Sequence, residues 1–334
     1  MRTIGLFAAF VAFLFYPAIV PDASAQKGAP QRAKPPQGFV AEYDVKYVPN
    51  GDEAQALDIY YPETATDKPQ PLLIWIHGGG WSGGSKAGIP YLSQLPRGYV
   101  VASIEYRFSQ KAPFPAQIQD CQAAIRFLRA NAKKYSIDPE RIGVGGASAG
   151  GHLAALVGTS GGKKAFPMIG GNEDQSDRVQ AVCDIFGPTN FWTVVTQAEE
   201  DKNVKNIFKW NSGDPYSRLI AAKLGEDKAK CDAVSPVHYV SKDNPPFLIL
   251  HGDHDTLVPY AQSVELKELL DKSGVEATLQ KLPGAGHGGA SFALPALAKL
   301  TVSFFDKHLK GIDAKIEALP ESEVTVKAAS PAKK

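Results

Sequence analysis

The chain has 334 residues, 44% of them apolar and 21% charged, with 36 Lys and Arg against 35 Asp and Glu for a formal net charge of +1. That length can bury a full core as one large domain or two small ones, and the composition is that of an ordinary globular protein. A near-neutral balance argues against nucleic acid as a partner, which is normally held by a basic patch.

The first residues stand apart. Arg2 precedes "IGLFAAFVAFLFYPAIV", and "ASAQ" then supplies an A-x-A cleavage pattern ending at Ala25. The apolar run has 17 residues and contains Pro17, whereas a bilayer core wants about 20. Residues 1–25 are therefore expected to be a signal peptide, and the mature protein to be exported, periplasmic or extracellular, with no membrane anchor left after cleavage. Residues 26–37, "QKGAPQRAKPPQ", are polar and Pro-rich and are expected to form a disordered leader.

A catalytic domain is expected over 38–310. "FVAEYDVKYV" alternates Phe39, Ala41, Tyr43, Val45 and Tyr47 on one face, and "PNGD" then leads to "ALDIYYP", which reads as a hairpin. The apolar runs "PLLIWI" and "YVVASIEY" have strand character. Residues 115–134 read as a helix opened by Pro115, with Ile118, Cys121, Ile125 and Leu128 on one stripe. Next come strand "RIGVGG", helix "GGHLAALVG", strand "VQAVCDIF" and strand "PFLILHG". A helix near 260–273 ended by Gly274, strand "VEATLQKL" and a helix near 290–309 complete the series. Strands of continuous apolar character alternating with helices mean an α/β architecture, a mostly parallel sheet covered on both faces. The pattern loosens over 187–245, an insertion that reads as functional or lid-like. Residues 311–334 read as a solvated tail. Cys121, Cys183 and Cys231 are an odd count, allowing at most one disulfide; packing is expected for Cys121 and Cys183, and a bridge from Cys231 stays open.

Reactive groups in such a sheet belong just beyond the carboxyl ends of strands. Ser148 follows "RIGVGG" directly in Gly146-Ala147-Ser148-Ala149-Gly150, and small neighbours suit a sharp strand–turn–helix with a strained central residue. A dinucleotide fingerprint from Gly143 would need Gly or Ala where Ser148 stands, and a P-loop would need Lys where Gly151 stands. A nucleophile needs a base, an orienting acid and an oxyanion hole. After "PLLIWI" stands His77-Gly78-Gly79-Gly80-Trp81. Its bare backbone N–H groups suit a hole completed by the N–H of Ala149. A flexible glycine loop would explain the glycines but not their placement after a buried strand.

Among seven histidines, His287 in "LPGAGHGG" follows a strand and precedes the last helix, so it is the expected base. His308 is expected at the surface, and His152 to pack or hydrogen-bond beneath Ser148. His77 and His238 have loop or core readings that the pattern does not rank. "LILHGDHDTLVP" offers Asp253 and Asp255 as orienting acid, and spacing does not choose. His251, Asp253, His254 and Asp255 also permit a metal site, but that needs a further ligand and leaves Ser148 and the glycine run unexplained. No metal and no cofactor are expected.

The motifs "HGGGWSGGSK", "EYRFS", "FPAQIQDC", "GASAGGHLAAL", "FGPTNF", "SPVHYV", "PFLILHGDHDTLVP" and "GAGHG", in this order over about residues 40 to 310, resemble the exported bacterial feruloyl/acetyl-xylan esterase-like (BD-FAE-type) carboxylesterases. These are α/β-hydrolases related to the hormone-sensitive-lipase group. The resemblance implies an α/β-hydrolase fold, with Ser148 as nucleophile, Asp255 as orienter and His287 as base. It implies Gly79, Gly80 and Ala149 at the oxyanion hole. The expected substrates are acetyl or feruloyl esters of plant-type polysaccharides. General short-chain esterase activity and a non-catalytic binding protein on the same fold are the alternatives, and the latter would be free to lose the triad. Ala147 departs from the lipase-type pattern, which usually has Asp there, and this favours the polysaccharide-esterase side. Trp81, Phe186, Pro188 and Trp192 are candidates to border the pocket. In the insertion, Phe191, Trp192, Phe208, Trp210 and Tyr216 either stack on substrate or pack onto the sheet.

Overall fold

The structure, a computed structural model, describes residues 32–204 and 213–325. The expected signal segment, Phe208, Trp210 and the last residues of the tail lie outside them.

Strands β1 (Phe39–Lys46) and β2 (Ala56–Pro62) form the expected antiparallel hairpin. Its register breaks between Glu42 and Val45, where Asp44 takes φ 55°. An extra residue in a strand flips the side-chain alternation beyond it. Phe39 and Ala41 therefore pack beneath one face of the sheet, and Val45 and Tyr47 beneath the other. This corrects the single apolar stripe expected of β1, and Tyr43 at the break is left exposed.

The chain continues through β3 (Gln70–Ile76), β4 (Val100–Ile104), α1 (Ala116–Ala130), β5 (Ile137–Ala147), α2 (Ala149–Ser160) and β6 (Ala181–Ile185). Among its described residues the insertion forms three short α-helices, α3 (Val194–Glu200), α4 (Pro215–Ile220) and α5 (Lys228–Val234). Then follow β7 (Phe247–Gly252), α6 (Tyr260–Lys272), β8 (Ala277–Leu282), α7 (Pro295–Lys310) and the single turn α8 (Glu321–Val324). The strands make one sheet in the order β1-β2-β4-β3-β5-β6-β7-β8. β2 alone runs opposite to the other strands of the sheet.

The apolar strands are buried on both sides because helices cover both. In β3, Leu72, Ile74 and Ile76 meet α1 and α2, while Leu73 and Trp75 meet the layer formed by Tyr91, Leu95 and α7. Ile118, Cys121, Ile125 and Leu128 of α1 are fully buried, as their spacing predicts. The insertion belongs to the first of these cores through Phe191, Val194, Tyr216, Leu219, Cys231 and Val234. Phe191 and Tyr216 both pack there, which is the packing reading for Phe191. The three cysteines are buried and unbonded, so Cys231 forms no bridge.

Two expected coils are tied down. Arg32 pairs with Asp44 at 2.6 Å and Asp58 at 3.2 Å, and the Ala33 carbonyl accepts from the hydroxyls of Tyr43 and Tyr60. The end of the supposed leader is thus anchored on the hairpin. The tail reading for 311–334 is likewise corrected over its described part. The Leu319 N–H donates to Gln280 Oε1 at 2.6 Å, Thr278 Oγ1 donates to the Ile316 carbonyl, and Val324 is 1% exposed. The segment runs beside β8, with Ile316, Leu319 and Val324 packed into the core layer of α7. His308 is also more enclosed than expected, with its ring against Phe304.

Candidate active site

Ser148 is the hinge between β5 and α2, with φ 57° and ψ −120°. A residue with a Cβ seldom adopts this region, so the turn is strained and held by its surroundings. Packing explains the flanking glycines. A Cβ on Gly146 would strike the Gly150 carbonyl, and one on Gly150 would strike the Ile76 carbonyl at the end of β3. The Ser148 N–H is fixed on the Ile185 carbonyl at 2.8 Å, and the Ser148 carbonyl accepts from the His152 N–H at 2.9 Å.

His287, in the glycine-rich loop after β8, brings Nε2 to 2.9 Å from Ser148 Oγ and Nδ1 to 2.7 Å from Asp255 Oδ2. The carboxylate can only accept, so the proton sits on Nδ1 and Nε2 is free to take the serine proton. Asp255, 1% exposed, turns Oδ1 to the N–H groups of Leu257 and Val258. Its Oδ2 also faces His251 Nε2 at 3.2 Å. Burial alone would raise its pKa, but hydrogen bonds from His251 and His287 outweigh burial and hold the carboxyl well below the usual range. Asp253 instead accepts the Gly284 N–H at 2.7 Å and braces the loop that carries His287. His251 is taken up by Ser263, Val258 and Asp255. Among the described residues no group of three or more metal-ligating side chains is poised around a metal position.

The glycine run wraps the other side of Ser148. A Cβ on Gly78 would lie 2.7 Å from the Ala147 carbonyl and 3.3 Å from Ser148 Cβ, so only glycine allows the loop this close. Gly79 and Gly80 take φ 113° and 59°. Four loop carbonyls are already occupied: Gly78 by His77 Nδ1, Gly79 by the Ser82 N–H, Trp81 by the Ser109 N–H, and Ser82 by Gln110 Nε2. Among the described residues the Gly80 N–H has no acceptor, which leaves it available to a substrate oxygen. Gly80 and Ala149 line the cleft beside Ser148, with Gly79 next to Gly80 in the same loop. His77 anchors the start of the loop, with Nε2 2.6 Å from Glu105 Oε1 and its ring stacked on Tyr106.

The cleft encloses about 410 Å³ including its open mouth, and its remaining walls among the described residues are Trp81, Pro188, Pro215, Tyr216, Leu257, Val258 and His287. Trp81 and Pro188 are thus where the sequence suggested. Phe186 does not line the cleft. It stands behind His287, ring centroids 4.6 Å apart, on a backbone at φ 44°. Trp192 is corrected: it is 38% exposed on the insertion, beneath Lys228 and outside the cleft lining. Pro215, Leu257 and Val258 were not singled out by sequence. Leu257 and Val258 were legible in principle, because the N–H groups that hold Asp255 belong to the next residues but one and two.

Residues 57–270 match the BD-FAE family. The chain is similar to the esterase LipC of Mycobacterium tuberculosis, 33% identical over 80% of this chain and 66% of that protein. It is also similar to LipQ of the same organism, 32% identical over 73% of this chain and 56% of that one. The chain therefore spans about half to two-thirds of these relatives' length. Among solved structures, a truncated carbohydrate esterase from gut microbiota superposes with TM-score 0.74 at 32% identity, over 83% of this chain and all of that one. An acetyl ester-xyloside bifunctional hydrolase from Caldicellulosiruptor lactoaceticus gives 0.58 at 27%, over 79% and 90%.

Proposed function

The chain belongs to the BD-FAE family of α/β-hydrolase esterases, in the hormone-sensitive-lipase group, and from that membership we propose that it is an exported serine carboxylesterase removing small acyl groups, acetyl before feruloyl, from carbohydrate. The observation that carries the reading is the unbroken relay Ser148–His287–Asp255 opening on a small apolar cleft. The carbohydrate esterase and the acetyl ester-xyloside hydrolase among the similar structures support the leaving-group class. Export is read from residues 1–25 alone.

In the reaction, His287 Nε2 takes the Ser148 proton as Oγ bonds to the ester carbonyl carbon. The carbonyl electrons move to oxygen, and the N–H groups of Gly80 and Ala149 receive that charge. Each such donor is worth about 3 kcal/mol in comparable sites. As the C–O bond to the alcohol breaks, His287 returns the proton to the leaving oxygen. Water then adds to the acyl-enzyme by the same path and releases the acid. Asp255 keeps the imidazole in the required tautomer and stabilises the imidazolium.

Short acyl chains are favoured because three of the walls are buried side chains. Trp81 and Tyr216 are 2% and 3% exposed, and Val258 3%, so widening the cleft on their side means repacking the interior. The test is a panel of p-nitrophenyl acetate, butyrate and octanoate against acetylated xylan and methyl ferulate. Acetate and acetylated xylan should lead. Preference for octanoate would mark a lipase-like enzyme, and inertness towards every ester would mark a binding protein on the same fold.

A further inference from the structure

Trp81 follows Gly80 with φ 54°, a conformation uncommon for so bulky a residue. Its ring packs on His152, Phe191 and Tyr216 with centroids 5.3, 5.6 and 5.3 Å apart. The indole N–H donates to His152 Nδ1 at 3.1 Å, and His152 Nε2 lies 2.8 Å from the Val234 carbonyl. An indole nitrogen only donates and a carbonyl only accepts. His152 must therefore be neutral, its single proton on Nε2. The ring is fully buried, and burial pushes its pKa down to about 4, so this state persists at neutral pH. The His152 backbone N–H is itself bonded to the Ser148 carbonyl. One imidazole thus joins the helix that begins at Ser148, the loop carrying Gly80, and the end of α5 in the insertion.

We propose that His152 is a positioning residue that sets the oxyanion loop against the nucleophile and couples the insertion to it through the Val234 carbonyl. The inference rests on the reading of Ser148, Gly80 and Ala149 as nucleophile and hole. It goes beyond that reading by assigning the group that keeps them in register. A donor displaced by a fraction of an ångström loses more against the developing oxyanion than against the ground-state ester, so the effect falls on kcat rather than KM.

Four variants test this: His152→Phe, His152→Gln, Trp81→Phe and the double variant His152→Phe/Trp81→Phe. Each is measured for p-nitrophenyl acetate kinetics and for hydrogen exchange of residues 78–84. His152→Phe keeps the ring volume but removes the acceptor. It should lower kcat about 10²-fold, the scale of losing one oxyanion donor, with KM little changed and the loop amides exchanging faster. Glutamine, which can accept and donate at once, should restore at least about a tenth of the wild-type kcat. The double variant should lose no more than the worse single one, because both remove one linkage. Loop exchange and kcat unchanged in His152→Phe would overturn the proposal, and if that variant fails to fold, Trp81→Phe compared with His152→Gln decides on the same readouts. Wild-type protein inert to esters would sink the esterase reading instead, and the exchange measurement would still decide whether His152 holds the loop.

Discussion

His251 stands 3.2 Å from Asp255, on the same carboxylate oxygen that His287 reaches at 2.7 Å. With the Leu257 and Val258 N–H groups on the other oxygen, this carboxylate is held ionised and in one orientation. Asp253, two residues earlier, spends its Oδ1 on the Gly284 N–H. Asp255→Asn should lower turnover about 10⁴-fold, because an amide does not enforce the Nδ1–H tautomer. Asp253→Ala should cost about tenfold or less, the scale of one backbone hydrogen bond lost from a bracing turn. Steady-state kinetics of the two variants make the comparison, and the opposite ranking would reassign the orienting acid.

Ser148→Ala removes the hydroxyl that meets His287 Nε2 in the relay. Turnover should fall by about 10⁶-fold, as when the nucleophile of a triad is deleted. The fold should survive, since the strained turn is held by Gly146, Gly150 and the Ile185 carbonyl rather than by the hydroxyl. Substantial residual esterase activity with an unchanged thermal midpoint would mean that another residue is acylated.

Asp184 lies at the end of β6, fully buried, with Oδ1 accepting the Gly187 N–H and Oδ2 without a partner among the described residues. Burial pushes its carboxyl up to about 7, opposed by that single hydrogen bond. An unfolded Asp titrates near 4. Between those values the folded state holds a proton that the unfolded state has released. Stability from this group is therefore full below about pH 4 and declines as pH rises towards 7. Asp184→Asn keeps an acceptor for Gly187 and removes the titration. It should raise the unfolding midpoint at pH 8 and change it little at pH 4–5. Equal shifts at both pH values, in urea melts of the two proteins, would show that the carboxyl is ionised in the native state throughout.

Leu257 is the least enclosed of the aliphatic cleft walls, half-buried where Val258 is buried. Leu257→Ala should enlarge the cleft at little cost to folding. Selectivity, read as the ratio of kcat/KM for p-nitrophenyl butyrate to acetate, should rise about tenfold. One or two methylenes in an apolar pocket are worth that much. An unchanged ratio would mean that the acyl chain does not run past this wall.

By itself the sequence determined which strands would be buried on both faces, and which turns would carry a serine, a glycine run, an acid and a histidine. These are local signals: apolar runs bounded by turns, and glycines where two backbones nearly touch. Tertiary structure decided between Asp253 and Asp255 because the choice depends on which carboxylate meets His287, 32 residues further on, as β8 pairs with β7. It likewise moved Trp192 out to solvent, laid residues 316–324 along β8, and wedged His152 between Trp81 and Val234, 71 residues before it and 82 after it. Such contacts follow from how strands order themselves in the sheet, and no periodicity within one segment carries that information.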